Sequence, residues 1–169
     1  MSSVNSESTI QEQREKLYDI LKGARTAFMV TKAPDGSLHG RPMATAEAEE
    51  SLGELWFATS RESEKVLELE QDSEVFLGYT KGGTEWATIS GTARIIDDRG
   101  KVQELWSAFW KNWFDGPDDP NLVLVRVTPR QGEYWDSGSK LLTMAKLALT
   151  AVTGKRLDDG DHATVPLQK

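Results

Sequence analysis

Short connections dominate this chain and restrict the topologies open to it. Three apolar runs of strand length, Ala27-Phe28-Met29-Val30-Thr31, about Leu38 to Glu47, and Leu55 to Thr59, are separated by segments no longer than a turn or a short loop. Between the first two, Pro34-Asp35-Gly36 turns by a known mechanism: proline presets φ and glycine supplies the positive φ. Leu52-Gly53 turns the second run into the third. Connections this short join antiparallel neighbours, because a parallel crossover needs roughly a dozen residues or more. The pattern resumes with Val75 to Thr80, a Gly82-Gly83 hairpin turn and a long strand from Glu85 to Ile96. Leu122-Val123-Leu124-Val125-Arg126-Val127-Thr128 is the last clear strand core, and it continues through Tyr134-Trp135-Asp136. Six antiparallel strands with short helices between them predict a mainly β (α+β) fold: a closed or split barrel with peripheral helices.

Ser8-Thr9-Ile10-Gln11 has the pattern of a capping box. The apolar stripe Ile10, Leu17, Ile20 and Leu21 then predicts a helix that stops at Gly23. A short helix is expected over about Ser63 to Gln71. Another should start after Asp97-Asp98-Arg99-Gly100 and carry Val102, Leu105, Trp106, Phe109, Trp110 and Trp113 before Pro117-Asp118-Asp119-Pro120 breaks it. A terminal helix should cover roughly Lys140 to Thr153. The expected organisation is a flexible segment 1–7, one domain over 8–153, and an irregular tail over 154–169.

A net charge of −7 argues against nucleic acid or an anionic membrane as the main partner, since both need a basic face. With no cysteine, disulfides, thiolate chemistry and cysteine-ligated metals are excluded. The start Met1-Ser2-Ser3-Val4 has neither a basic nor an apolar run, so no signal peptide is expected and the cytoplasm is the default location. The apolar stretch from Leu141 to Val152 is interrupted by Lys146 and is too short to span a bilayer. Only two histidines occur, His39 and His162, and no HExxH spacing, so no metal site is expected. GxSxG, GxGxxG and P-loop patterns are absent as well. A chain without triad, thiol or metal ligands can still do redox chemistry if a cofactor brings the reactivity.

One segment offers a seat for an anion. The strand Leu55-Trp56-Phe57-Ala58-Thr59 runs into Ser60, Ser63 and Lys65 at the start of a helix. Unpaired N–H groups and the positive end of the helix dipole favour a phosphate at such a point. Arg41, one hairpin upstream, is expected to converge there with Lys65. The competing reading is that Ser60 or Ser63 simply caps the helix, which is the commoner use of serine at that position.

Six tryptophans are many for 169 residues. Trp106, Trp110 and Trp113 recur at helical spacing and would form one aromatic face, suited to a core, a dimer interface or a wall against a flat ring. Trp86 and Trp135 lie on strands beside Glu85 and Asp136.

Taken in order, Arg41-Pro42-Met43, Trp56-Phe57-Ala58-Thr59-Ser60-x-x-Ser63-x-Lys65, Ile89-Ser90-Gly91-Thr92-Ala93, Gly116-Pro117-Asp118-Asp119-Pro120 and Glu133-Tyr134-Trp135-Asp136 resemble the general stress protein branch of the pyridoxamine phosphate oxidase-like flavoproteins. The resemblance covers roughly residues 10 to 160. It implies a six-stranded antiparallel split β-barrel, homodimeric, with FMN in a cleft between subunits and FAD as a further possibility. By the same resemblance, Arg41 and Lys65 would neutralise the cofactor phosphate, with Ser63 and Ser60 donating hydrogen bonds. Met43, Ala44 and Thr45 would run along the polar edge of the ring, with Phe57, Ala58 and Thr59 on the neighbouring strand. Trp86 matches a cofactor-facing position contributed by the partner subunit, Trp135 matches the aromatic before the last turn, and Trp110 or Trp113 would close the cleft.

The chain also departs from the oxidases of that family. Glu64 stands where they carry an arginine on the cofactor phosphate, and Ala46 where they carry a lysine on the substrate phosphate. Asp136-Ser137-Gly138-Ser139-Lys140 replaces the basic motif that completes their vitamer site. The expectation is therefore a flavin-binding stress-response protein without pyridoxamine phosphate oxidase activity. The alternatives are an NAD(P)H-dependent flavin reductase or a reductase that binds the deazaflavin F420.

Overall fold

A computed structural model describes residues 2–51, 53–138, 140–154 and 160–168. The elements follow one another as α1 (Ser2–Ala24), β1 (Thr26–Lys32), β2 (Leu38–Glu49), β3 (Glu54–Ser60), α2 (Glu64–Gln71), β4 (Glu74–Lys81), β5 (Glu85–Ile96), α3 (Arg99–Leu105), a 3₁₀ turn (Ala108–Asn112), β6 (Leu122–Asp136), α4 (Lys140–Thr153) and β7 (Asp161–Pro166). The strands order as β3-β2-β1-β4-β5-β6-β7, and β3 also pairs with β6. That second pairing, antiparallel from Leu55 opposite Val127 to Ser60 opposite Leu122, closes the first six strands into a barrel. Among the described residues no helix is long and apolar enough to cross a membrane.

Period-two burial fills the barrel. Ala27, Met29 and Thr31 of β1 point inward, as do Val75, Leu77 and Tyr79 of β4. They meet Leu55, Phe57, Ile89, Val125 and Val127 in one core, and α1 adds Leu17, Tyr18, Ile20 and Leu21 to it. These buried aliphatic and aromatic side chains are each worth about 1.5–3 kcal/mol against exposure. A second, smaller cluster lies outside the barrel wall, where Trp56, Leu122 and Leu124 pack with Val102 and Trp110.

Three sequence expectations change. Residues 161–166, expected to be irregular, form β7, which pairs antiparallel with β6 from Asp161 opposite Asp136 to Pro166 opposite Gln131. The long β6 has a free edge beyond β5, and Ala163, Val165 and Leu167 bury against the core there. α1 begins at Ser2 rather than at the Ser8 cap, since extending a nucleated helix adds a bond per residue fixed. The aromatic helix does not exist as one helix. α3 ends at Leu105, Trp106 turns extended with ψ 127°, and Ser107 opens a new 3₁₀ turn by accepting the Phe109 N–H. Trp106, Trp110 and Trp113 therefore do not share one helical face: Trp110 is buried, whereas Trp113 is exposed.

Gly91 sits where the β5–β6 register shifts, and a Cβ there would lie 2.3 Å from the Thr128 carbonyl oxygen. Backbone that close leaves nothing flexible to move aside. Gly91→Ala should cost about 1–3 kcal/mol of stability, read as a lower midpoint with unchanged slope in urea unfolding.

A candidate anion and ring-binding cleft

The end of β3 hands the chain to α2 through Ser60, Arg61, Glu62 and Ser63. Ser63 takes the N-cap conformation, φ −72° and ψ 145°, yet its side chain makes no cap hydrogen bond. Its hydroxyl lies 3.3 Å from Thr59 Oγ1, the same oxygen that accepts a 2.9 Å hydrogen bond from Lys65 Nζ. Ser60 Oγ donates to Asn121 Oδ1 at 3.1 Å and accepts the Glu62 N–H at 3.3 Å. The serines thus shape the turn, and the first-turn N–H groups of α2 are not taken up by the Ser63 hydroxyl.

Lys65 is half-buried. Burial first, and then the positive charge of Arg41, push its ammonium below the ordinary lysine value, while Glu68 acts in the opposite direction. Among the described residues it makes no ion pair within 4 Å; its hydrogen bond goes to neutral Thr59.

Arg41 has a different anchor. Its Nη1 donates to Thr31 Oγ1 and its Nη2 donates to Glu68 Oε2 at 3.0 Å. Glu68 is buried, and it also accepts from the Thr31 hydroxyl and lies 2.6 Å from His39 Nδ1. Burial pushes the Glu68 carboxyl up, but the hydrogen bonds from Thr31, His39 and Arg41 outweigh it and hold the group below its usual value. His39, Glu64 and Glu68 bring potential metal-ligand atoms within 4.8 Å of one another. Of the three, Glu68 is the one that anchors the Arg41 guanidinium, and Glu64 is exposed.

A cleft of about 490 Å³ opens beside this corner. Pro42, Met43 and Ala44 of β2 and Ala58, Thr59 and Ser60 of β3 line it together with Lys65 and Asn121, and Phe109, Trp110, Trp113 and Phe114 complete its lining. Nine of the expected site residues are among these: Pro42, Met43, Ala44, Ala58, Thr59, Ser60, Lys65, Trp110 and Trp113. Six are not. Ser63 reaches the cleft through Thr59, and Arg41 acts on it through its charge. Phe57 is fully buried in the barrel, and Thr45 turns to Tyr79, with the two hydroxyls 3.3 Å apart.

Trp86 and Trp135 lie opposite each other on β5 and β6 and line a second, strongly apolar groove of about 580 Å³ with Phe28, Tyr79 and Pro42. Pro42 borders both hollows. His162 of β7 stacks on Trp135, ring centres 5.0 Å apart and planes 13° from parallel. Sequence reasoning missed Thr31 and Glu68, and it took His39, which shares a strand face with Arg41, for a solvated turn histidine, whereas His39 meets the buried Glu68. The signal available was Glu68 itself, four residues after Glu64 and flanked by Leu67 and Leu69; in the fold Leu67 is exposed and Glu68 is buried.

With this geometry in view, the comparisons with known proteins agree on one family. The family described as pyridoxamine 5'-phosphate oxidase like matches residues 12–158. General stress protein 26 of Bacillus subtilis is 30% identical over 134 residues, covering 77% of this chain and 93% of that protein. Protein bli-3 of Neurospora crassa is 28% identical over 166 residues, covering 91% of this chain and 79% of that protein. The crystal structure of the general stress FMN/FAD binding protein from Xanthomonas citri superposes with a TM-score of 0.68 at 32% identity, covering 78% of this chain and 94% of that one. The chain belongs to the pyridoxamine 5'-phosphate oxidase-like family and has general stress proteins among its relatives.

Glu68 links the site to acid stability. Its depressed pKa means that the stability it contributes is present above the unfolded-state pKa and is lost as pH falls through the folded one. The stability gap between wild type and Glu68→Gln should stay constant above about pH 5 and narrow below about pH 4, measured by urea unfolding across that range.

Proposed function

We propose that this protein binds flavin, as FMN, in a cleft completed by a second copy of the chain, and that it acts as a flavin-binding stress-response protein without pyridoxamine phosphate oxidase activity. The observation that carries this reading is Lys65: a half-buried ammonium with no carboxylate partner among the described residues, beside Arg41, at a cleft lined with aromatic rings. A phosphate would offset the desolvation of the ammonium with an opposite charge and counter the Arg41 repulsion, and the aromatic side chains suit a flat ring. The FMN/FAD binding of the Xanthomonas citri relative supports the same assignment. In this reading Arg41, Lys65, Ser60 and Ser63 hold the phosphate, Met43 and Ala44 border the ring, and Trp86 and Trp135 face the cofactor of the partner. The flavin, when bound, supplies whatever redox capacity the site has.

Two features argue against vitamer oxidation. Ala46 packs against the Trp56 and Trp110 cluster, where the oxidases use a lysine, and Asp136 is engaged in an ion pair with Lys16. The cleft lining offers Lys65 as its one ionisable side chain, and this favours binding over turnover.

FMN titrated into flavin-free protein should quench tryptophan or flavin fluorescence, and absence of binding at tens of micromolar would refute the reading. Lys65→Ala should weaken FMN about ten- to hundredfold, the loss of a charge-assisted contact worth about 1.5–3 kcal/mol. Mixed anaerobically with NADH or NADPH, the bound flavin should stay oxidised; rapid bleaching would make the protein a flavin reductase instead.

A further inference from the structure

The terminal helix α4 is turned inside out for a surface helix. Met144, Leu147, Ala148, Ala151 and Val152 fall at i, i+3, i+4, i+7 and i+8, an unbroken apolar stripe. In a monomer that stripe would face the barrel. Here Met144 is 70% exposed, Leu147 65% and Val152 86%, while Lys146 and Thr150 on the opposite side are the less exposed positions.

The helix leaves the barrel at Asp136, one residue after Trp135, through Gly138 at φ 78°. It therefore starts at the rim of the apolar groove lined by Phe28, Trp86 and Trp135, yet its stripe stays uncovered. The stripe and those three rings together expose on the order of 800 Å² of apolar surface. That exceeds the patch an ordinary monomer shows, and it matches one partner's share of a standard interface.

We propose that α4 is an exchanged arm: its apolar stripe packs along the Phe28–Trp86–Trp135 groove of a second copy of this chain, beside the place the proposed function gives to a flavin rather than over it, and the partner's α4 packs along the groove of the first in the same way. Two features select a second copy over a lipid surface. The chain carries both a ridge and a groove of the same apolar character, which is what a self-complementary two-fold contact requires. The net charge of −7 opposes an anionic membrane. Because Pro42 borders both the groove and the Lys65 cleft, the arriving helix also becomes a wall of the partner's ligand site. The inference rests on the dimer of the proposed function but not on its ligand.

The absence of cysteine makes the arm directly addressable. Met144→Cys, labelled with a benzophenone maleimide, is mixed with unlabelled-thiol-free wild type grown in ¹⁵N and photolysed after subunit exchange. Cross-links should join residue 144 to peptides containing residues 26–28, 78–80 or 86–88 of the ¹⁵N chain. Cross-links confined to the chain that carries the label, in a protein whose mass by light scattering is that of a dimer, would overturn the arm and leave the dimer standing. A monomeric mass would overturn both. Met144→Glu/Val152→Glu, two substitutions at solvent-exposed positions, should raise the dimer dissociation constant at least tenfold. An unchanged constant, or binding of the wild type to phosphatidylglycerol vesicles that the double variant loses, would contradict the proposal. Failure of FMN to bind leaves every one of these readouts intact, so the two readings fail separately.

Discussion

Two cations in one corner are tolerated here because a single buried carboxylate sits beneath them. Burial first, and then the charge of Arg41, lowers the Lys65 pKa, while Glu68 attracts both cations. Glu68 neutralises only one unit of charge, and most of its hydrogen-bonding capacity is directed at Arg41, Thr31 and His39. The other carboxylate of the corner, Glu64, is exposed, so Lys65 is left half-shielded from water and without an ion pair among the described residues. A full desolvation cost with no partner would be prohibitive for an ammonium, so partial exposure through the cleft is what makes the arrangement stable. The opening that keeps Lys65 hydrated is the same opening that would admit an anion.

The barrel explains why this corner can exist. β3 must pair with both β2 and β6 to close the sheet, which fixes the Thr59–Ser60 end next to Pro42–Ala44 and next to the start of β6 at Leu122. The chain between α3 and β6 is then obliged to cross the outer wall near that point, and its aromatic residues cover Trp56 and Leu124 while leaving Phe109 and Trp113 at the cleft. Closure also leaves the outer face of β1, β4 and β5 with Phe28, Phe76 and Trp86 toward solvent. The Lys65 cleft and the open apolar face are neighbours because both are consequences of the same closed sheet.

Much of this was legible in the sequence, for local reasons. The turn residues at Pro34-Asp35-Gly36 and Gly82-Gly83 left antiparallel pairing as the economical topology, and the Ser60–Lys65 segment announced a strand running into a helix start. What escaped was decided by long-range partners. β7 is built from a polar stretch that has no strand signal of its own and exists because β6 offers an edge. The tryptophan spacing looked helical, but bulky aromatics lose rotamer freedom in a helix and Ser107 offers the backbone a competing cap, so the helix breaks there. Glu68 carried no signal of its own in the expected helix over about Ser63 to Gln71, and only the fold brings Thr31, His39 and Arg41 around it.

The central claim is that the Lys65 corner recognises a phosphate. The most direct measurement is a paired titration of the wild-type protein with FMN and with riboflavin, which share a ring and differ by the phosphate, across a range of ionic strength. The account requires FMN to bind at least about tenfold more tightly at low salt, with the advantage shrinking as salt rises and screens the charges. Equal affinities for the two flavins at every ionic strength would contradict it.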